Sequence, residues 1–500
     1  MSSPPPDPHH PAIHLRPPRN WVNDPNGLVF HEGHYHVFFQ YNPRSAAHAD
    51  MHWGHFRSRD LLDWELLPIA LAPTPRGEDA DGVWSGNAVD LGDELRAFYS
   101  AKRADRWYQP VTSAVSHDGG LTFTKRDGLL IPEPPAGTTM FRDPYVWRDG
   151  ERWRMLVGAA LADGRGAALH YTSDDLEEWT YTGPFLARPP EPLPDGGDTE
   201  EGWECSQYAH FGDGRGAVLL SAWDPVDGAL RTAAYPGRED AEGRFHAGAP
   251  QLLDHGPDFY APALLPAPDG RWLMWAWSWE ARDAAYVGAP SAWTDEVGWA
   301  GMLTLPREVT LGEDGTVHQR PARELLRLRG AQRVDAAGEV APDHPVDLGE
   351  VGRCFEAAVR LERHDGAAGA LRLVTSDDGT EHLDIALDPA TGDLVVDRTH
   401  ASRDPRAQSD RYRLPVTTGG AVELRIVVDH SIAELFLATG QALTLRFYPT
   451  GDTPWRLRAT AAPVTPRPGA AATAARYAVQ AWDLDPLRIR DKRPDPEVGP

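Results

Sequence analysis

A repeat of about 58 residues is the feature that most constrains the fold. Five short apolar or aromatic runs each follow a glycine turn: Gly33-His-Tyr-His-Val-Phe-Phe, Gly92-Asp-Glu-Leu-Arg-Ala-Phe-Tyr, Gly150-Glu-Arg-Trp-Arg-Met-Leu-Val, Gly214-Arg-Gly-Ala-Val-Leu-Leu and Gly270-Arg-Trp-Leu-Met-Trp-Ala. Their glycines stand 59, 58, 64 and 56 residues apart. Runs of this length bounded by turn residues read as strands. A second element keeps the same period. Ser58–Trp64 and Ser173–Trp179 share Ser-x-Asp-Leu-x-x-Trp, and Ser116–Phe123 is a looser copy between them. Two independent elements on one period argue against a generic sandwich. They predict an all-β chain that opens with a five-bladed β-propeller over residues 1–320.

The rest of the chain reads differently. Sixteen of 18 tryptophans precede residue 300; only Trp455 and Trp482 follow. Short alternating runs replace the repeat: Cys354–Leu361, Ala370–Val374, His382–Leu387, Leu394–Arg398, Val422–Val428, Ile432–Ala438, Leu443–Tyr448 and Leu457–Ala461. They predict an antiparallel C-terminal β-sandwich over 338–490, after a linker at 321–337 that is helical or extended near Pro321–Gln332. Residues 488–500 are charged and proline-rich and read as frayed, with a polar tail from 491 to 500. A length of 500 residues, beyond the ~250–300 at which a single core stops growing, fits two domains.

The formal charge of −25 excludes the basic footprint that nucleic acid or an anionic membrane surface would need. No apolar run approaches the ~18–20 residues of a membrane span. Met1–Pro11 has neither a basic nor an apolar signal region, and two cysteines make no disulfide framework, so a cytoplasmic setting is expected. Oligomeric state is not readable.

A propeller gathers the loops at its blade starts around a central pit, where acids from different blades can meet. Asp24, Asp143 and Glu204 each precede a blade's apolar run. Asp24 lies in Asn20-Trp-Val-Asn-Asp-Pro-Asn-Gly27, a window holding three of the chain's five asparagines. Asp143 lies in Phe141-Arg-Asp-Pro144 and Glu204 in Trp203-Glu-Cys205. Asp24 and Asp143 precede proline, which pushes them toward extended backbone and limits where their side chains point.

At these residues the chain resembles glycoside hydrolase family 32, the β-fructofuranosidases. Trp-x-Asn-Asp-Pro-Asn-Gly at 21–27, Phe-Arg-Asp-Pro at 141–144 and Trp-Glu-Cys at 203–205 carry the resemblance. Phe39–Pro43, Trp53–His55, Trp84–Gly86, Asp258–Pro262, Gly298–Glu308 and Val427–Phe436 extend it over nearly the whole chain. The resemblance implies a propeller followed by a sandwich, and release of terminal β-D-fructofuranosyl units from sucrose or short fructo-oligosaccharides with retention. Such a reaction needs one carboxylate to attack and one carboxylic acid to protonate the leaving oxygen. By the resemblance Asp24 is the nucleophile, Glu204 the acid/base, and Asp143, with Arg142 beside it, steadies the transition state. Asn23 and Gln40 fit polar grips on fructose. Trp53 and Trp84 fit apolar faces for a sugar ring, with Ser85 adjoining, and Asp258 is either a pocket edge or a turn acid. No cofactor and no metal are implied, and the partner is a small carbohydrate.

His31, His34 and His36 have ligand-like spacing, but His34 and His36 share one strand beside an acidic loop and are not read as a metal site. Gly164-Arg-Gly166 and Gly214-Arg-Gly216 lack a following helix and are not phosphate cradles. Cys205 reads as a small buried residue. Ser206-Gln207 and Asn87 depart from the family's usual residues, so they are expected to alter leaving-group preference. Sucrose, sucrose 6-phosphate, and inulin- or levan-type oligomers stay open as substrates. The competing readings are a fructosyltransferase of the same architecture and a non-catalytic fructan-binding protein.

Overall fold

A computed structural model describes residues 7–223, 230–282, 292–364, 367–416, 420–463 and 474–494. Met1–Pro6 and the last six residues of the expected tail lie outside them. Among the described residues the regular structure is all-β apart from a short α-helix, Ala292–Val297, and a 3-10 turn, Arg323–Leu328.

Before residue 322 the strands form five separate sheets, antiparallel in their main body. Their first strands are Asn20–His31, Gly82–Asp90, Thr138–Asp149, Gly202–His210 and Tyr260–Pro266. Each repeat glycine makes the turn from a first strand into a second. All five are left-handed, with φ of 76, 91, 60, 70 and 83° at Gly33, Gly92, Gly150, Gly214 and Gly270. A residue with a Cβ resists that conformation, which explains why glycine recurs there. The Ser-x-Asp-Leu element turns the third strand into the fourth. Ser58 Oγ accepts from the Leu61 N–H at 2.9 Å, and Asp60 Oδ1 from the Asp63 N–H at 2.9 Å. Ser173 and Asp175 repeat both bonds with Leu176 and Glu178, also at 2.9 Å.

Each first strand lies against the first strand of the next sheet, and the fifth against the first. The arrangement is propeller-like, with the five first strands around a common axis. Apolar clusters fill the space between neighbouring sheets: Phe141, Met155 and Leu169 between the second and third, Trp203, Leu220 and Tyr235 between the third and fourth.

The C-terminal part is sandwich-like. One layer runs in the order 329–340, 475–484, 354–364, 421–429, 432–437, 442–446. The other runs 346–351, 455–463, 367–374, 382–387, 394–397, 411–414. A shared core that includes Phe355, Leu371, Ile385, Leu435 and Trp455 lies between the layers.

Two expectations need correction. Arg329–Val340, read largely as linker, is a strand of the sandwich paired with Ala475–Leu484. Arg488–Asp491, read as frayed, pairs in parallel with Asp63–Leu66 and extends the first sheet. Both are edge strands held by backbone pairing, with mostly exposed side chains, so neither carries an apolar alternation that sequence reasoning could detect.

Candidate active site

The first strand of every sheet slips out of register with the second at one common level. The slips fall between Val22 and Pro25, Val83 and Gly86, Glu204 and Gln207, and Tyr260 and Ala263, while Asp143 is the extra residue in the third sheet. Bulges re-aim side chains and recur beside active sites. Here they turn Asp24, Ser85, Asp143, Glu204 and Tyr260 into one cavity at the axis, of about 280 Å³. Asp143 and Cys205 take positive φ, 65 and 47°, a strained conformation held by the surrounding ring. Asp143 thus departs from the extended backbone expected of it before Pro144, because the bulge and its Ser100 hydrogen bond fix it otherwise. On the neighbouring strand a Cβ at Gly158 would meet the Trp203 carbonyl oxygen at 2.3 Å, so only glycine lets the third and fourth sheets close here.

Hydrogen bonds fix each carboxyl. The Ser85 hydroxyl donates to Asp24 Oδ2 at 2.6 Å and Asn23 Nδ2 to Asp24 Oδ1 at 3.1 Å. Trp21 Nε1 in turn donates to Asn23 Oδ1 at 2.7 Å. Glu204 accepts from Arg142 Nε at 2.7 Å and from the Tyr260 hydroxyl at 2.6 Å. Asp143 Oδ2 accepts from the Cys205 N–H at 3.0 Å, and the Asp143 N–H donates to Ser100 Oγ at 2.7 Å. The Cys205 sulfur lies 3.8 Å from Asp24 Oδ2 and 3.6 Å from Asp143 Oδ2, between the two acids.

Three carboxyls share this small space with one guanidinium. Burial, with Glu204 nearby, pushes Asp24 up to about 6 against the Ser85 and Asn23 hydrogen bonds. Burial and Glu204 push Asp143 up to about 7, while Arg142 pulls it down. Burial works against the Arg142 charge, but Glu204 and Asp143 outweigh it and hold the guanidinium protonated. Burial and mutual repulsion therefore favour the protonated forms of Asp24 and Asp143 more than water does. Around it Trp21, His48, Trp84, Trp223 and Trp277 form an aromatic wall, and the Arg142 guanidinium lies 5.1 Å over Trp223 and 5.9 Å over Trp84.

Gln40 and Trp84 line the cavity, and Gln40 is tethered to the Val83 carbonyl at 3.0 Å. Trp53 does not line it. It is fully buried against Phe38 and Tyr99 and donates to the Trp84 carbonyl at 3.1 Å, so it backs the wall and offers no face to a sugar. Asp258 is neither a pocket edge nor a turn acid. It is wholly buried, 2.9 Å from Arg398 Nη1 and 2.7 Å from the Arg446 N–H, where the fifth sheet meets the sandwich. Asn87 and Gln207 tie first strands together around the axis. Asn87 bonds both the Val146 C=O and N–H, at 2.8 and 2.9 Å, and Gln207 accepts from the Leu264 N–H at 2.6 Å. Ser206 is buried. None of the three lines the cavity. His36 and His55 are bonded to each other at 3.0 Å, and among the described residues no group of three or more His, Cys, Asp or Glu is arranged to hold a metal ion.

Tyr260 is the residue sequence reasoning missed. The repeat contains the signal: Tyr260 precedes Gly270 by ten residues, as Glu204 precedes Gly214. Sequence reasoning places Trp21 only in its motif and does not single out His48, Trp223 and Trp277, because nothing local separates a wall residue from a core one.

Residues 14–321 match the N-terminal domain and residues 324–465 the C-terminal domain of glycosyl hydrolases family 32. A sucrose-6-phosphate hydrolase of Zymomonas mobilis is 31% identical over 473 residues, covering 89% of this chain and 88% of its own. A raffinose invertase of Escherichia coli is 34% identical over 477 residues, covering 89% and 90%. Among solved structures, a variant of a Bombyx mori β-fructofuranosidase in complex with sucrose superposes with a TM-score of 0.77 at 25% identity, covering 97% of this chain and 95% of that one.

Proposed function

The chain belongs to glycosyl hydrolase family 32, and from that premise we propose that it is a β-fructofuranosidase working with retention through Asp24, Asp143 and Glu204. One observation carries the assignment. Acids from the first, third and fourth sheets meet in a single cavity, Asp24 and Asp143 on a bulge and Glu204 at the edge of one.

The fructosyl unit of sucrose or a short fructo-oligosaccharide occupies the cavity. Asp24, oriented by Ser85 and Asn23, attacks the anomeric carbon as Glu204 passes its proton to the departing glycosidic oxygen, giving a covalent fructosyl-enzyme. Glu204 then takes a proton from water, which displaces Asp24 from the opposite face. Two inversions return the β configuration. Asp143 and Arg142 hold fructose hydroxyls while positive charge develops on the ring. Asn23, Gln40, Trp84 and Ser85 complete the fructosyl grip. We read the five sheets as the five blades of the propeller, with the sandwich as a separate domain. Similarity to enzymes named for sucrose 6-phosphate supports a cytoplasmic setting, since a charged phosphate ester does not diffuse across a bilayer.

Asp24→Asn is expected to lower turnover of sucrose by 10²-fold or more, the scale of losing a covalent step, while leaving the unfolding transition in place. Retention of more than about a tenth of wild-type turnover removes Asp24 from the nucleophile role.

A further inference from the structure

We propose that Trp107 is a stacking platform for the second sugar of the leaving group, raising kcat/KM for trisaccharide and longer donors; the inference rests on the fructosidase reading above. Topology places it. First strands run outward from the cavity and second strands return to it, so connections between second and third strands surround the mouth. In the second sheet that connection joins Leu95–Lys102 to Val111–Ser116 and carries Trp107.

The connection is pinned at both ends. The Ala104 N–H donates to Asp81 Oδ2 at 2.7 Å, and Arg106 pairs with Glu78 at 2.8 Å. At the inner end the Gln109 N–H donates to the Phe141 carbonyl at 3.0 Å, and Gln109 Oε1 accepts from Arg142 Nη1 at 3.1 Å. Arg142 is the residue bonded to Glu204. Trp107 therefore stands two residues, at most about 7 Å of chain, from a side chain that touches the catalytic arginine.

Its own side chain is 54% exposed, more than any other large apolar side chain among the described residues. Tyr108 packs edge-on against it at 5.0 Å and limits how the indole can turn. A single exposed indole means little by itself, but this one stands on a tethered loop whose Gln109 reaches Arg142 of the cavity. A sugar ring suits such an apolar face, because its C–H surface covers the indole while its hydroxyls stay in solvent. The cavity, at the small end of ligand pockets, accommodates little beyond the fructosyl ring. The first leaving sugar then sits at the mouth beside Trp84 and His48, and the second reaches the loop.

The test compares kcat/KM for sucrose, whose leaving group is one sugar, with raffinose and 1-kestose, whose leaving groups are two. Trp107→Ala is expected to lower kcat/KM for both trisaccharides about tenfold, mainly through KM, with sucrose changing less than twofold and Trp107→Tyr restoring most of the loss. Equal losses on all three donors, or no loss on the trisaccharides, overturns the platform while the fructosidase reading stands. Release of fructose from none of the three by the wild type overturns that reading, and the platform with it.

Discussion

Asparagine is scarce in this chain, and all five copies lie on the first two sheets: Asn20, Asn23, Asn26, Asn42 and Asn87. Asn20 ties the entry to the first strand by donating to the Pro43 carbonyl at 2.6 Å, and Asn42 fixes the following loop through Ser45 and Ala47 at 2.9 Å. Asn23 touches Asp24. An amide both donates and accepts in one rigid plane, which suits positions where two backbones and a carboxyl must be held together. Ser85 acts on Asp24 with an explicit sign. Its hydrogen bond favours the carboxylate, so Ser85→Ala should raise the Asp24 pKa above about 6. The ionised fraction at a given pH then falls, and the acid limb of kcat/KM for sucrose should move to higher pH by about one unit, as expected for losing a hydrogen bond to a charged group. An unmoved limb would mean that Asp24 does not set it. The three acids were readable at this scale because each precedes a repeat glycine. Trp53 and Asp258 were misread because burial and distant partners decided their roles: Arg398 and Arg446 lie 140 and 188 residues beyond Asp258.

The elements differ in how much of them the sequence carried. The turns from first to second strands were legible because a left-handed turn demands glycine and leaves a periodic mark. The bulges that aim Asp24, Asp143 and Glu204 into the cavity were not, since a register slip depends on the neighbouring strand. In the sandwich, strands with a buried face such as Ile432–Leu437 stood out, while the charged edge strand Arg411–Leu414 did not. Asn87 belongs to this scale as well. Asn87→Ala strips partners from the buried Val146 N–H and C=O, and unsatisfied groups of this kind cost about 1–3 kcal/mol each. The substitution should lower the unfolding free energy by about 2 kcal/mol or more while leaving the ratio of kcat/KM between sucrose and 1-kestose unchanged. A changed ratio at unaltered stability would return Asn87 to the role of a leaving-group contact.

At the scale of the whole molecule the sandwich braces the fifth sheet. Arg307 pairs with Glu434 of the sandwich and Asp254 of the propeller side at 2.6 and 2.8 Å, all three fully buried. His14, ahead of the first strand, bridges Asp429 and Glu434 at 2.8 and 3.0 Å. Although burial disfavours its charge, the two carboxylates raise the His14 pKa and keep the imidazolium paired. Asp258, gripped by Arg398 and Arg446, stands two residues before Tyr260, whose hydroxyl holds Glu204. The C-terminal part thus supports the Tyr260–Glu204 contact through the backbone of one strand. Breaking a buried pair of this kind leaves an uncompensated charge, so the contact between the two parts is an integral piece of the fold.

The division of labour between Asp24 and Glu204 is tested most directly with β-fructofuranosyl fluoride, a donor whose leaving group needs no proton. Glu204→Ala should be severely slowed on sucrose yet form the fructosyl-enzyme from the fluoride. The intermediate should accumulate, and azide should restore turnover by replacing unactivated water, giving the β-fructosyl azide. Asp24→Ala should form no intermediate from either donor. If the two variants respond alike to the fluoride, or if the rescued product has the α configuration, the roles given to these two carboxylates are contradicted.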